Sequence, residues 1–82
     1  MIDVLYFAWL RERTGHPRES LDTQAPTVAA LVEELRARSE GHALAFSDLR
    51  AVRVAVDQKL ASLDAPLTGV REVAFFPPMT GG

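Results

Sequence analysis

The chain has 82 residues, 48% hydrophobic and 24% charged, with a net charge of −2 and no cysteine. That suits one folded domain and is too short for two. It excludes disulfides, thiolate metal sites and a cysteine nucleophile, and the mixed charges leave no Lys/Arg block for nucleic acid or a membrane surface.

Residues 2–9 read as a strand, with Ile2, Val4, Tyr6 and Ala8 alternating with Asp3, Leu5, Phe7 and Trp9. Leu10–Thr14 offers one helical turn, stopped by Gly15 and Pro17. Residues 18–23 supply a second strand, antiparallel to the first. Thr27 is placed to cap a helix in which Val28, Leu31, Val32 and Leu35 form a core-facing stripe, with Gly41 as its terminator.

Residues 43–49 fit a short helical turn. Val52, Val54 and Val56 alternate with Arg53, Ala55 and Asp57 as a central strand. Asp57-Gln58 suits a tight turn into a return strand over 59–63. Glu72–Phe76 is a last strand, ended by Pro77-Pro78, which cannot donate to a ladder. The order ββαβββ predicts an α+β domain, a sheet with one main helix on one face. Its expected core is Val4, Tyr6, Val28, Leu31, Leu35, Val54, Val56, Val73 and Phe75.

No phosphate loop, G-x-S-x-G or H-E-x-x-H is present. His16 and His42 lie far apart and read as ordinary surface histidines. No catalytic residue, metal site or bound cofactor is therefore expected within the domain. The apolar stretches fall short of the ~20 residues a membrane-spanning helix needs. No basic leader with a cleavage site is visible at the start, so the expected location is cytoplasmic.

Two features ask for more than a fold. The first is the ending, Pro77-Pro78-Met79-Thr80-Gly81-Gly82. It is either a frayed end or a donor arm. Two prolines give a stiff exit, and glycines without Cβ fit a narrow channel in a partner. The domain is expected over 1–77, with 78–82 as an extended, mobile tail carrying a working carboxyl group on Gly82. The second is the sheet's outer face. If Val4, Tyr6, Val73 and Phe75 point to the helix, then Leu5, Phe7 and Phe76 point away, with Leu60 beside them. Apolar residues there mark a partner surface, unless loops cover them or the faces are reversed.

The stretch Val73-Ala74-Phe75-Phe76-Pro77-Pro78-Met79-Thr80-Gly81-Gly82 closely resembles the end of the small subunits of molybdopterin synthase. Met1-Ile2-Asp3-Val4-Leu5-Tyr6-Phe7-Ala8 with Leu10-Arg11-Glu12, Pro26-Thr27-Val28 with Leu31, and Val54-Ala55-Val56-Asp57-Gln58 resemble other parts of the same family. The resemblance spans nearly the whole chain.

It implies a β-grasp, ubiquitin-like fold and a place in molybdenum cofactor biosynthesis. It implies that an activating enzyme related to ubiquitin E1 uses ATP to adenylate Gly82, and that a sulfur donor then leaves a thiocarboxylate there. Pro78, Met79, Thr80 and Gly81 would form the tail that enters the large synthase subunit, which holds the catalytic residues. Sulfur would pass there to cyclic pyranopterin monophosphate, in a heterotetramer with two small subunits. Phe7, Leu60 and Phe76 match the family's partner contact.

Two departures stand out: Asp57 where the family often has Asn, and a shifted glycine with fewer acids in Thr68-Gly69-Val70-Arg71-Glu72. A carrier for thiamine or another thiolated product, a ubiquitin-like modifier joining Gly82 to lysines, and a passive interaction domain are the alternatives. The co-purifying partner, Gly82-linked isopeptides and the effect of deleting Gly82 separate them.

Overall fold

A computed structural model gives the fold and describes residues 1–78. The tail positions Met79, Thr80, Gly81 and Gly82 lie outside the described residues. The elements are β1 (Ile2–Tyr6), α1 (Ala8–Thr14), β2 (Arg18–Leu21), α2 (Val28–Arg36), α3 (Glu40–Ala45), a 3-10 turn (Leu49–Ala51), β3 (Arg53–Val56), β4 (Lys59–Ala61) and β5 (Glu72–Phe76). The strands form one sheet in the order β2-β1-β5-β3-β4. Only β1 and β5 run parallel; the other neighbours are antiparallel.

The first strand stops at Tyr6 rather than running to residue 9. Ala8 adopts φ 53, which turns the chain sharply into α1. The turn has a packing cause. A helix from Ala8 puts Leu10 and Thr14, four residues apart, on the buried side. A continued strand would have left Leu10, here fully buried, outside the core. Gly15 ends α1 at φ 82 and gives its N–H to the Arg11 carbonyl at 2.9 Å, as its freedom at positive φ allows.

In α2, Thr27 Oγ1 accepts the Ala30 N–H at 3.2 Å, and Val28, Leu31, Val32 and Leu35 are fully buried. The helix ends at Arg36, capped by Ala37, so Gly41 is not its terminator. Ser39 starts α3 by accepting the His42 N–H at 3.1 Å, and Gly41 sits inside α3. At Asp57-Gln58 both residues have positive φ, 48 and 71, the pairing a two-residue hairpin between twisted strands requires. Asp57 Oδ1 also accepts the N–H groups of Arg71 and Glu72 at 3.1 and 3.0 Å. That pins the β3–β4 turn to the start of β5.

Eight of the nine expected core residues are buried, and Val56 is partly so. One helix does not cover the sheet's inner face. Leu10 from α1 and Ala45 and Phe46 from α3 and its end complete the core. Phe46 stands 4.9 Å from Phe75 and 6.3 Å from Tyr6, ring centre to ring centre, both edge-on. Such contacts add about 0.5–1.5 kcal/mol beyond burial.

Candidate functional site

The register sorts the outer face into three rows. Ser20, Asp3 and Glu72 form a polar row at the end where β5 begins. Arg18, Leu5, Ala74, Ala55 and Leu60 form the next, running from edge to edge. The third holds Phe76 opposite Arg53, with Phe7 alongside, since its N–H reaches the Phe75 carbonyl at 3.1 Å. The face therefore grades from acidic to apolar to aromatic as β5 approaches the tail.

At the aromatic end Phe7, Ala8, Ala74, Phe76, Pro77 and Pro78 line an open groove of about 490 Å³. Phe7 is 46% exposed, although it is among the chain's largest apolar side chains. Ala8 narrows the groove little because it is small, yet its positive φ costs roughly 1 kcal/mol. The prolines add a wall that offers no backbone N–H. The structure thus brings Phe7, Phe76 and Pro78 together at one site. Leu60 is on the same face but not in the groove; it stands on the edge strand, 79% exposed.

On the opposite face lies a cluster that the sequence reading missed. His42 is buried, not a surface histidine; 3% of its side chain and 12% of that of Glu19 are exposed. Glu19 Oε2 accepts from the Tyr6 hydroxyl at 2.6 Å and meets His42 Nε2 at 2.7 Å. Arg38 reaches Glu19 Oε1 at 3.2 Å, and Ser39 Oγ lies 2.7 Å from His42 Nδ1. Every hydrogen finds an acceptor when Ser39 gives its hydroxyl to Nδ1 and Nε2–H points at Glu19.

Burial raises the Tyr6 pKa, and the hydrogen bond to Glu19 and that residue's charge push it further up. Burial would also raise the Glu19 pKa. The hydrogen bonds from Tyr6 and His42 and the charge of Arg38 outweigh it and hold the carboxyl below its ordinary value. A signal was present in the sequence: in strand alternation Glu19 falls on the same side as Leu21, where a carboxylate needs buried partners. His16 is exposed, with its ring 6.1 Å from that of His42.

Residues 4–82 match the ThiS family. The chain belongs to the ThiS family, among the molybdopterin synthase sulfur carrier subunits. The sulfur carrier subunit of Escherichia coli is 48% identical over the whole of both chains. That of Haemophilus influenzae is 37% identical over the same span. That of Mycobacterium tuberculosis is 35% identical, over 99% of this chain and 96% of its own.

Among solved structures, a putative molybdopterin converting factor, subunit 1, from Pyrococcus furiosus superposes with a TM-score of 0.72 at 26% identity. It covers 95% of this chain and 97% of its own. SAMP1 from Haloferax volcanii superposes at 0.74 with 23% identity, over 99% and 98% of the two chains, and speaks to the fold alone. The mixed five-stranded sheet of this ThiS-family chain is the ubiquitin-like β-grasp. Among the described residues no helix is long and apolar enough to cross a membrane.

Proposed function

We propose that this sulfur carrier subunit works through the carboxyl group of Gly82. A carboxylate is inert toward nucleophiles until activated. Attack of its oxygen on the α-phosphorus of ATP, in an E1-like adenylyltransferase, releases pyrophosphate and leaves an acyl-adenylate. A sulfur nucleophile then displaces AMP: sulfide gives the thiocarboxylate on Gly82 directly, whereas a donor's persulfide gives an acyl disulfide, whose S–S bond a thiol cleaves to leave the thiocarboxylate and a disulfide between that thiol and the donor. In the large subunit of molybdopterin synthase that sulfur is donated to cyclic pyranopterin monophosphate, and two such transfers build the dithiolene. On this reading catalysis falls to the activating enzyme and the large subunit, and ATP belongs to the activating enzyme.

The observation that carries this reading is full-length kinship with sulfur carrier subunits. The position of the groove supports it. Pro77 and Pro78 form part of the groove and also launch the last residues, so a partner seated on Phe7 and Phe76 receives the tail directly. Five residues drawn out from Pro78 span about 16 Å. That exceeds the domain's radius of gyration, 11.6 Å, enough to enter a partner's interior.

Incubation with a proven activating enzyme, ATP and a sulfur source is expected to replace one oxygen of the chain by sulfur in the intact mass. Deleting Gly82 is expected to abolish the product. An unchanged mass, with the enzyme active on another carrier, overturns the reading. Phe76→Asp tests the docking side. It is expected to weaken large-subunit binding by more than tenfold, the effect of a lost aromatic anchor. Its melting temperature should stay within a few degrees of the parent, because Phe76 is outside the core. Wild-type binding by that variant would exclude the groove as the docking site.

A further inference from the structure

We infer that Arg53 selects the partner: it fits a surface that places a carboxylate beside the apolar group filling the groove. This rests on the docking face proposed above and adds the charge that the face requires.

Arg53 is on β3 directly opposite Phe76, on the outer face, and is exposed. Its guanidinium is aimed rather than loose. One terminal nitrogen donates to the Arg50 carbonyl at 2.9 Å and to the Val52 carbonyl at 3.1 Å. The remaining N–H groups form no side-chain bond, and none of the ion pairs among the described residues includes Arg53. Two acids on this side are engaged elsewhere. Asp48 pairs with Arg50 at 3.1 Å, and Asp3, two rows away, pairs with Arg18 at 2.9 Å.

A chain of net charge −2 thus presents, across the sheet from Phe76 of the groove, an oriented cation with no ion pair among the described residues. A guanidinium with its fork unused matches a carboxylate in two parallel hydrogen bonds, which an ammonium does not reproduce. A partner with an apolar surface but a cation opposite Arg53 would be rejected, because like charges meeting at a closing interface oppose its formation. The groove gives attraction, and Arg53 gives selection and steering. The occupant is therefore the large subunit, through an apolar projection flanked by Asp or Glu.

The test measures association of the full chain with the large subunit over a range of ionic strength. Formation of the wild-type complex and its loss in Phe76→Asp test the docking face itself; Arg53 is judged only against a pair that binds. Arg53→Glu is expected to slow association roughly tenfold at low salt and to remove the salt dependence, as rim charges do. Arg53→Leu is expected to fall between it and the parent, and it decides the matter if the glutamate variant does not fold. Replacing the facing carboxylate of the large subunit by arginine is expected to restore the glutamate variant. Wild-type rates for both Arg53 variants at all salt concentrations overturn the proposal. Self-association that depends on Arg53, with no effect on the large subunit, assigns the face to a second copy and equally overturns it.

Discussion

Gly41→Ala is expected to destabilise the domain by about 2–3 kcal/mol, the range for forcing atoms into packed structure. Helix propensity alone gives the opposite sign. Gly41 lies inside α3, where alanine would stabilise by up to about 1 kcal/mol. Packing decides the outcome. A Cβ at Gly41 would run into the backbone carbonyl oxygen of Arg13, well inside van der Waals contact. Backbone faces it, so no flexible side chain can swing aside.

Helix α1 is also held in place. Gly15 caps its end, the Arg13 side chain donates to the Leu44 carbonyl at 3.4 Å, and the Arg13 guanidinium stacks 4.6 Å from the Trp9 ring centre. Relieving the clash means parting α1 from α3, which uncovers Leu10 and Phe46. For a domain of this size the loss lowers the melting temperature by roughly 10 °C or more. Thermal unfolding checks it, with the single tryptophan, Trp9, reporting the α1–α3 contact. A neutral or stabilised variant would mean that the helices separate at no cost.

The same glycine shows where sequence reading stopped. Glycine after an apolar stripe commonly ends a helix, which is why the sequence alone makes Gly41 a terminator. Its actual role, permitting two backbones to touch, depends on Arg13, far away in the chain. Elements with strong local periodicity were legible: the stripe of α2, the alternation of β3 and the Pro-Pro end of β5. Elements whose reason is tertiary were legible only in part: the pattern predicts helical turns over 10–14 and 43–49, but not their starts at Ala8 and Glu40. Helix α1 exists because Leu10 must enter the core, and α3 because Phe46 must reach Phe75.

Part of the candidate groove was legible too. Phe7 and Phe76 follow from strand parity alone. Joining them to Leu60 did not, since parity gives the face but not the position across five strands. Arg53 was visible as the polar partner of an alternating strand. That no carboxylate among the described residues pairs with it needs coordinates.

Glu19→Ala is expected to cost roughly 3 kcal/mol at neutral pH, the scale for breaking a buried charge cluster. The variant leaves the Tyr6 hydroxyl and the His42 ring N–H buried without their acceptor, each worth about 1–3 kcal/mol. It also frees Arg38, but that side chain is 46% exposed and water replaces much of what it loses. Adding Tyr6→Phe removes one orphan, so the second substitution should cost less in the Glu19→Ala background than alone.

The pH dependence has a definite sign. The Glu19 pKa is lowered in the folded chain from 4.5. Its contribution is then fully present above that value and is lost as pH falls through the folded pKa. Urea unfolding of parent and Glu19→Ala should show a stability gap that shrinks as the pH is lowered from neutral to well below 4.5. A gap that holds or widens over that interval would mean that the Glu19 carboxylate is not what the Tyr6 and His42 hydrogen bonds stabilise.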